Sequence, residues 1–209
     1  MNKVVVFILA LAAMATGIFV FQTMNAKEQP EFALYYQEPR EIKPFSLVDQ
    51  HGSTFTNQQL EGKWSWVFFG YTSCPDVCPT TLQELNFNYE ELKAVAANTQ
   101  VLLVSVDPQR DSVEKLSQYI SYFNDEFKAL TAGHEKLFPF ARNLGLMYAI
   151  NDQQTDENYL VDHSASIVLI NPQGKIAAIF KPVQEVGQLP IVSGEQLVSD
   201  FSKIVNLES

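Results

Sequence analysis

The chain has 209 residues and a formal net charge of −10, and 46% of its residues are hydrophobic. This length fits one domain of ordinary size with an appendage, and the apolar content suffices for a hydrophobic core. Because so acidic a chain lacks the basic surface that nucleic acid requires, we do not expect a nucleic-acid partner.

The N-terminal region contains a long apolar stretch. Val4 to Phe21 carries no charged residue, and its length of about 18 residues is near the lower limit for a helix that spans a bilayer. Lys3 precedes it and favours a cytoplasmic N-terminus. The residues after Phe21 match a cleavage site poorly, so we expect residues 1–24 to be an uncleaved single-pass anchor, with a cleaved signal peptide as the alternative. Either case predicts a domain outside the cytoplasm, in the periplasm of a bacterium, and the expected anchor would lie in the inner membrane.

A tether and then a single domain are expected after this stretch. Residues 25–43 are rich in charge and proline and show no clear period, which predicts a tether. Residues 44–209 are expected to form the domain. It opens with two short strands, Phe45–Val48 and Ser53–Phe55, which form a hairpin closed at Gly52.

Strands and helices then alternate along the chain. Dense apolar runs at Trp64–Tyr71 and Val101–Val106 predict buried central strands. Apolar residues at three- and four-residue steps predict further helices. These predicted helices cover Leu82–Ala96, Val113–Phe123 and His134–Leu146, the last of them disturbed at Pro139.

The C-terminal part of the domain predicts a hairpin and a final helix. Strands at Ser166–Ile170 and Lys175–Phe180 flank an Asn-Pro-Gly-containing turn. Ser193 and Gln196 form a predicted capping box at the start of the last helix. Strands alternating with helices, followed by a hairpin, predict an α/β fold with a thioredoxin-like mixed sheet and flanking helices. The first hairpin would be an N-terminal extension of this sheet, preceded by one transmembrane helix.

The chemistry centres on two cysteines, Cys74 and Cys78, between the first central strand and the next helix. Three residues separate them, where thiol oxidoreductases usually have two. Pro79 suits the first position of a helix, so we expect the helix to begin there, with Cys78 at its boundary. The helix N-terminus would favour a thiolate at Cys78, as either metal binding or a redox-active disulfide requires. A purely structural disulfide is less favoured, because so short a loop constrains the unfolded chain little.

A metal ion at this pair would need a third ligand, and the chain has three histidines. His51 lies in the first hairpin turn and His134 opens a helix, so both are expected to be solvated or structural. His163 directly precedes the Ser166–Ile170 strand, which passes beside the cysteines in a thioredoxin-like topology. Two sulfurs and one imidazole suit Cu(I), and the imidazole would help to retain Cu(II). Zinc usually takes a fourth ligand in a structural site.

Several carboxylates lie close to these residues in sequence. Asp107 follows a central strand at its carboxyl end, where sites gather in open α/β sheets. It could support the site or dock a partner, although the same segment also reads as a helix start capped by Asp111. Asp76 and Asp162 adjoin the predicted ligands and are candidates for the same supporting or docking role, with a solvated loop carboxylate as the alternative for Asp76.

Three segments of the chain resemble the sequence blocks of the Sco/SenC family. They are YTSCPDVCP at residues 71–79, SVDPQRD at residues 105–111 and VDHS at residues 161–164. The resemblance extends over about residues 40–207. Ser112 departs from the Thr expected after the second block, which leaves the site residues unaffected.

The resemblance implies a function as well as a fold. Members of this family are membrane-anchored, thioredoxin-fold copper proteins that help to assemble the binuclear copper site of cytochrome c oxidase. By this resemblance Cys74, Cys78 and His163 would bind copper, as Cu(I) and Cu(II), and pass it to the copper-receiving subunit of the oxidase. Another copper chaperone or a thioredoxin-like reductant would be a further partner. Such a protein transfers its cargo and does not turn over a small substrate.

Two enzymatic alternatives stay open at this point. A thiol–disulfide oxidoreductase would reduce the cysteines of the oxidase subunit, and it would need Cys74 and Cys78 but not His163. A thiol peroxidase shares the fold, but the residues around Cys74 give it no specific support.

Overall fold

The computed structural model describes residues 2–24, 27–150, 159–183, 187 and 189–209. A helix, α1, occupies Lys3–Met24. Within the described ranges we find no helix that combines the length and apolarity needed to cross a membrane. The membrane anchor expected from the sequence therefore stays a prediction.

The rest of the described chain alternates between strands and helices. In chain order the strands are β1 (Ala33–Arg40), β2 (Ser46–Asp49), β3 (Thr54–Thr56), β4 (Trp64–Gly70), β5 (Thr99–Ser105), β6 (Lys128–Thr131), β7 (Tyr148–Ile150), β8 (Val161–His163), β9 (Ile167–Ile170) and β10 (Ile176–Phe180). The helices after α1 are α2 (Val77–Phe87), α3 (Tyr89–Val95), α4 (Val113–Phe123), α5 (His134–Leu144) and α6 (Gly194–Glu208), with one short 3₁₀ turn at Asn57–Gln59.

The described strands form a mixed sheet of eight strands in the order β1-β10-β9-β4-β5-β6-β2-β3. β4 pairs in parallel with β5, and antiparallel with β9. Every residue of β4 and β5 is buried, as the dense apolar runs predicted. The predicted N-terminal hairpin is present as β2 and β3, and it extends the sheet by pairing β2 with β6. The predicted mixed sheet with flanking helices is thus confirmed.

The first edge strand corrects the prediction of a tether over residues 25–43. β1 lies within that range and pairs antiparallel with β10. Just before it, the carboxylate of Asp200 on α6 accepts the N–H groups of Glu31, Phe32 and Ala33 at 2.9, 2.6 and 2.8 Å. Asp200 is fully buried. Because this buried carboxylate needs hydrogen-bond donors and three backbone N–H groups provide them, the chain is part of the domain from Glu31 onward.

Helix boundaries account for three further differences. The helix predicted over Leu82–Ala96 is two helices. Asn88 separates them, as the cap residue at the end of α2 and at the start of α3. Pro139 lies inside α5 without ending it. The capping box at Ser193 is wrong: Ser193 is the cap residue, but its side chain makes no capping hydrogen bond. The N–H of Gly194 donates instead to the Glu84 carboxylate at 3.2 Å.

Candidate metal centre

The segment of residues 71–79, here the cysteine loop, connects β4 to α2. α2 begins at Val77 and not at Pro79, so Cys78 lies in its first turn and Cys74 precedes it. The N–H of Cys78 donates to Sγ of Cys74 at 3.4 Å. Because N–H groups in a first helical turn have no intrahelical acceptor, the sulfur of Cys74 takes the position of a capping acceptor.

The two thiols also differ in acidity. Hydrogen bonding from the Cys78 side chain lowers the pKa of Cys74 to about 4, against the effect of burial and with smaller contributions from His163 and from the Cys78 backbone N–H. The pKa of Cys78 is raised, first by its hydrogen bond to Cys74 and then by burial. Cys78 is 0% exposed, whereas Cys74 is half-buried. In the reduced pair these effects favour the thiolate at Cys74, which is the opposite of the sequence-based prediction of a thiolate at Cys78.

Gly70 at the end of β4 makes room for the buried sulfur. A Cβ at this position would lie 3.1 Å from Sγ of Cys78, and equally close to side-chain atoms of Leu103 and Phe68. These distances are shorter than ordinary carbon contacts. A side chain at residue 70 would therefore require Cys78 and its neighbours to shift by a few tenths of an ångström.

A buried carboxylate, Asp111, fixes the start of the cysteine loop. Its oxygens accept the backbone N–H of Thr72 at 3.0 Å, the Thr72 hydroxyl at 2.5 Å and the Ser105 hydroxyl at 2.7 Å. The Lys115 ammonium lies 3.7 Å from the same carboxylate. Asp111 is thus not the cap of α4. Ser112 fills that role, with its side chain accepting the N–H of Lys115.

His163 approaches the cysteines from β8. Its Nε2 lies 3.3 Å from Sγ of Cys78, and its Nδ1 lies 3.1 Å from the carbonyl oxygen of Ser164. Because a carbonyl oxygen can only accept, Nδ1 carries the proton and the Nε2 lone pair faces the sulfur. The ring also makes edge contacts with Phe68 and Tyr71, each at 5.9 Å between centroids.

Together these three side chains form a compact donor set. The sulfurs of Cys74 and Cys78 and a ring nitrogen of His163 lie within 4.8 Å of one another. Within the part of the chain that the structure describes, this is the single group of three such side chains close enough to share a metal ion. His51 is exposed in its turn, and Nδ1 of His134 lies 3.0 Å from the Tyr148 hydroxyl, so both lie outside the group.

A cavity of about 240 Å³ opens beside the donor set. Cys74 and His163 contribute to its wall, and exposed carboxylates of Asp76 and Asp162 flank it. The Asp76 side chain makes no capping hydrogen bond to α2. The remaining wall is largely apolar: it comprises Tyr71, Pro75, Val77, Leu160, Val161, Ala165, Leu189 and Pro190. A ligand of this size could reach the sulfur of Cys74 and the imidazole from solvent.

Asp107, by contrast, is buried beside the site and is 2% exposed. One of its oxygens accepts the Tyr159 hydroxyl at 2.5 Å, and the other pairs with Nε of Arg110. The Arg110 guanidinium lies 3.7 Å above the Tyr159 ring. Burial and the Asp107 hydrogen bond raise the pKa of Tyr159 to about 12. Sequence reasoning singled out Asp107 but missed Tyr159, because no spacing links residues so far apart along the chain.

Comparison with known proteins identifies the family. The SCO1/SenC family model matches residues 35–190. An SCO2-like protein of Rickettsia prowazekii is 31% identical over 175 residues, which cover 82% of this chain and 85% of that protein. This chain belongs to the SCO1/SenC family. The mitochondrial SCO1 homolog of Homo sapiens is 31% identical over 148 residues, which cover 70% of this family member and 49% of the human protein.

A solved family structure has the same fold. The crystal structure of Arabidopsis thaliana ScoI with copper bound superposes with a TM-score of 0.68 at 28% identity, covering 79% of this SCO1/SenC protein and 99% of the Arabidopsis chain. The resemblance to the Sco/SenC family drawn from the three sequence blocks is therefore confirmed.

Proposed function

We propose that this SCO1/SenC protein is a metallochaperone that binds one copper ion through Cys74, Cys78 and His163. The observation that carries the proposal is the convergence of two sulfurs and one imidazole nitrogen within 4.8 Å. Thiolate ligands favour Cu(I), and imidazole suits copper in either oxidation state. The copper-bound structure of the Arabidopsis relative supports the same cargo.

The three ligands have different roles in this proposal. The two sulfurs bind Cu(I), for which two soft ligands suffice. The imidazole adds the harder donor that Cu(II) requires. The Nδ1–H of His163 donates to the Ser164 carbonyl at 3.1 Å, which leaves Nε2 free for the ion. The half-buried Cys74 and the adjoining cavity give a receiving ligand access to the ion.

The receiving protein is proposed to be the copper-binding subunit of cytochrome c oxidase, whose binuclear site the chaperone loads or prepares. Family membership supports this assignment. The uncharged stretch from Val4 to Phe21 supports an inner-membrane anchor with the domain in the periplasm, beside such a subunit. Asp76 and Asp162, exposed at the cavity mouth, would contact the partner.

Titration of Cu(I) into the reduced protein against a competing chelator tests the proposal. We expect one ion per chain, and loss of binding in the double variant Cys74→Ser/Cys78→Ser. His163→Ala should alter the optical and paramagnetic spectra of the Cu(II) form, whereas the matched control His51→Ala should not. Parental copper affinity in the double variant, or an unchanged Cu(II) spectrum in His163→Ala, would refute the ligand set.

Thiol–disulfide exchange is the second candidate, and the acidity of Cys74 favours it. With a pKa of about 4, Cys74 is a thiolate at neutral pH and is reachable from solvent, as an attacking thiol must be. Its sulfur would attack one sulfur of a target disulfide, which breaks the target S–S bond, releases one target thiolate and forms a mixed disulfide. The Cys78 sulfur, after losing its proton to solvent, would then displace the target thiolate and leave a Cys74–Cys78 disulfide and a reduced target.

Two variants separate the candidates. Reduction of an oxidised dithiol peptide should persist in His163→Ala if exchange is the function, because the imidazole takes no part in the electron balance; the rate should fall only as far as the loss of the His163 hydrogen bond raises the pKa of Cys74. Cys78→Ser should trap the mixed disulfide, which mass spectrometry would detect. A peptide that stays oxidised in the presence of the reduced parent would leave copper transfer as the sole candidate.

A further inference from the structure

The strand that carries His163 lies outside the main sheet. β7 and β8 form a separate two-stranded sheet, here the histidine ribbon, with Tyr148 paired to His163. An isolated pair of strands is marginally stable in water. The chain after His163 soon enters the buried strand β9, which fixes that side of the ribbon. On the other side, the described residues that directly precede Val161 are Tyr159 and Leu160.

A stack of side chains connects Tyr159, next to the ribbon, to the body of the domain. Tyr159 lies two residues before β8, and the Arg110 guanidinium is 3.7 Å from the centre of its ring. The same guanidinium is 5.5 Å from the ring of Tyr71. Tyr71 then contacts the His163 ring edge-on at 5.9 Å, and its hydroxyl accepts the N–H of Val161 at 3.4 Å. The order of contacts is thus Tyr159, Arg110, Tyr71 and His163.

Asp107 holds the base of this stack. Its carboxylate accepts the Tyr159 hydroxyl and pairs with Arg110, which fixes both partners relative to each other. Its own N–H donates to the Ser105 hydroxyl at 3.2 Å, at the end of β5. Because β5 is a central, fully buried strand, Asp107 has a rigid support. Burial of Tyr148 and Val161 also fastens the ribbon, but apolar contacts do not fix direction as hydrogen bonds do.

We infer that Asp107, Arg110 and Tyr159 are positioning residues that hold His163 in the copper ligand set. The inference rests on the proposed function, and it deepens it by assigning these residues to retention of Cu(II). The two sulfurs keep Cu(I) whether or not the imidazole is held in place. Cu(II) depends on the imidazole, so loosening the ribbon weakens Cu(II) binding selectively.

Variants of Tyr159 test this with copper. Tyr159→Phe removes only the hydroxyl, and Tyr159→Leu also removes the stacked ring. Because loss of a group that orients a metal ligand typically weakens binding between about 10-fold and 100-fold, we expect Cu(II) affinity to fall in this range, more in Tyr159→Leu than in Tyr159→Phe. The Cu(II) paramagnetic spectrum should shift toward that of His163→Ala, while Cu(I) affinity stays parental. Tyr122→Phe, at a tyrosine that is 85% exposed, is the matched control.

The metal-free protein provides a readout that does not depend on copper. The ¹⁵N shifts of the His163 ring should show one tautomer, with the proton on Nδ1, in the parent and in Tyr122→Phe. In Tyr159→Leu and in Asp107→Asn they should move toward the averaged shifts of the exposed His51. Asp125→Asn, at an exposed aspartate, is the control for the second variant. Thermal unfolding identifies a variant that has lost its fold, and Tyr159→Phe, the mildest change, then carries the test.

The outcomes separate the inference from the proposed function. Parental ring shifts together with parental Cu(II) affinity in Tyr159→Leu would overturn the inference while leaving the copper site intact. Copper binding that survives Cys74→Ser/Cys78→Ser would overturn the proposed function, and the ring shifts of the metal-free variants would still decide whether the stack positions His163.

Discussion

The cysteine loop and the histidine ribbon bring ligands to one point but are held in different ways. The loop follows a central strand, packs its buried sulfur against Gly70 and is fixed by two hydrogen bonds from Thr72 to Asp111, which also accepts the Ser105 hydroxyl at the end of β5. The ribbon is a two-stranded sheet apart from the main one, and a stack of side chains that starts at Tyr159 connects it to the domain. The sulfur half of the site is therefore part of the core, whereas the imidazole half is attached to it.

This difference separates two properties that a copper carrier needs. Under the proposed function, a rigid pair of sulfurs would retain Cu(I), and an imidazole on a peripheral ribbon could be adjusted with little effect on the sulfurs. Changes in the loop should accordingly affect folding and both oxidation states of copper, and changes in the ribbon should affect Cu(II) alone. The following variants break or sharpen this contrast.

Asp111→Ala should have the largest effect. It leaves the Thr72 N–H and the Thr72 and Ser105 hydroxyls without their buried acceptor, which costs about 3 kcal/mol in the free energy of unfolding. The loop would then be as loosely held as the ribbon, and affinity for both Cu(I) and Cu(II) should fall. Denaturant unfolding measures the loss, with exposed Asp125→Ala as the control. A change within about 0.5 kcal/mol, as at an ordinary surface site, would show that Asp111 does not hold the loop.

Gly70→Ala should come next. The added methyl would lie 3.1 Å from Sγ of Cys78, and overpacking of a core costs about 1 to 3 kcal/mol. Part of that cost should disappear in a Cys78→Ala background, where the sulfur is gone. Unfolding of the two single variants and the double variant gives the coupling energy, and additive losses would contradict the contact.

Oxidation to a Cys74–Cys78 disulfide should have a smaller effect on stability, because a bridge across so short a loop adds about 2 kcal/mol at most. It should abolish Cu(I) binding, since both sulfurs are consumed. The reduced protein should stay folded, because the core forms with both cysteines free. Melting temperatures and Cu(I) affinities of the two forms measure this, with Cys74→Ser/Cys78→Ser as the variant that oxidant should not change. Unfolding on reduction would restore the structural-disulfide interpretation.

The smallest effect is expected in the acidity of the Cys74 thiol. The lowered pKa of Cys74, about 4, means that its thiolate is present at all pH values well above 4 and is lost as pH falls through that value. Alkylation of Cys74 in the reduced, metal-free protein should therefore proceed at a constant rate between pH 6 and 8. Cys78→Ala removes the principal hydrogen-bond donor, so the midpoint should rise toward the ordinary value of about 8.5. Mass spectrometry of the modified peptides follows both, and a parental rate that rises steadily across this range would contradict the assignment.

Much of the fold could be predicted because its central strands carry their own signal. β4 and β5 are uninterrupted apolar runs, and the turn before β10 has Asn171 and Gly174 at the expected places. β1 was missed because it is an edge strand without a buried residue, where proline and charged residues are tolerated. The break at Asn88 was missed because the apolar spacing continues across it into α3.

The residues of the candidate site also differ in how far the sequence predicts them. Cys74, Cys78 and His163 could be identified because few residue types bind soft metals and each lies next to a predicted strand. The roles of Asp111 and Tyr159 could not, because both depend on contacts between residues far apart in the chain. Asp111 looked like a helix cap by position, and only the fold brings it against Thr72.

The hydrogen bond from the Glu31 N–H to Asp200 limits the distance between the domain and α1. Only six residues, 25–30, lie between the end of α1 at Met24 and that fixed point. Even when fully extended, this connecting segment spans at most about 25 Å. With α1 in the membrane, as proposed above, the domain would stay close to the bilayer surface. A protein that exchanges copper with it would then have to present its own ligands close to the lipid headgroups, and not far out in the periplasm.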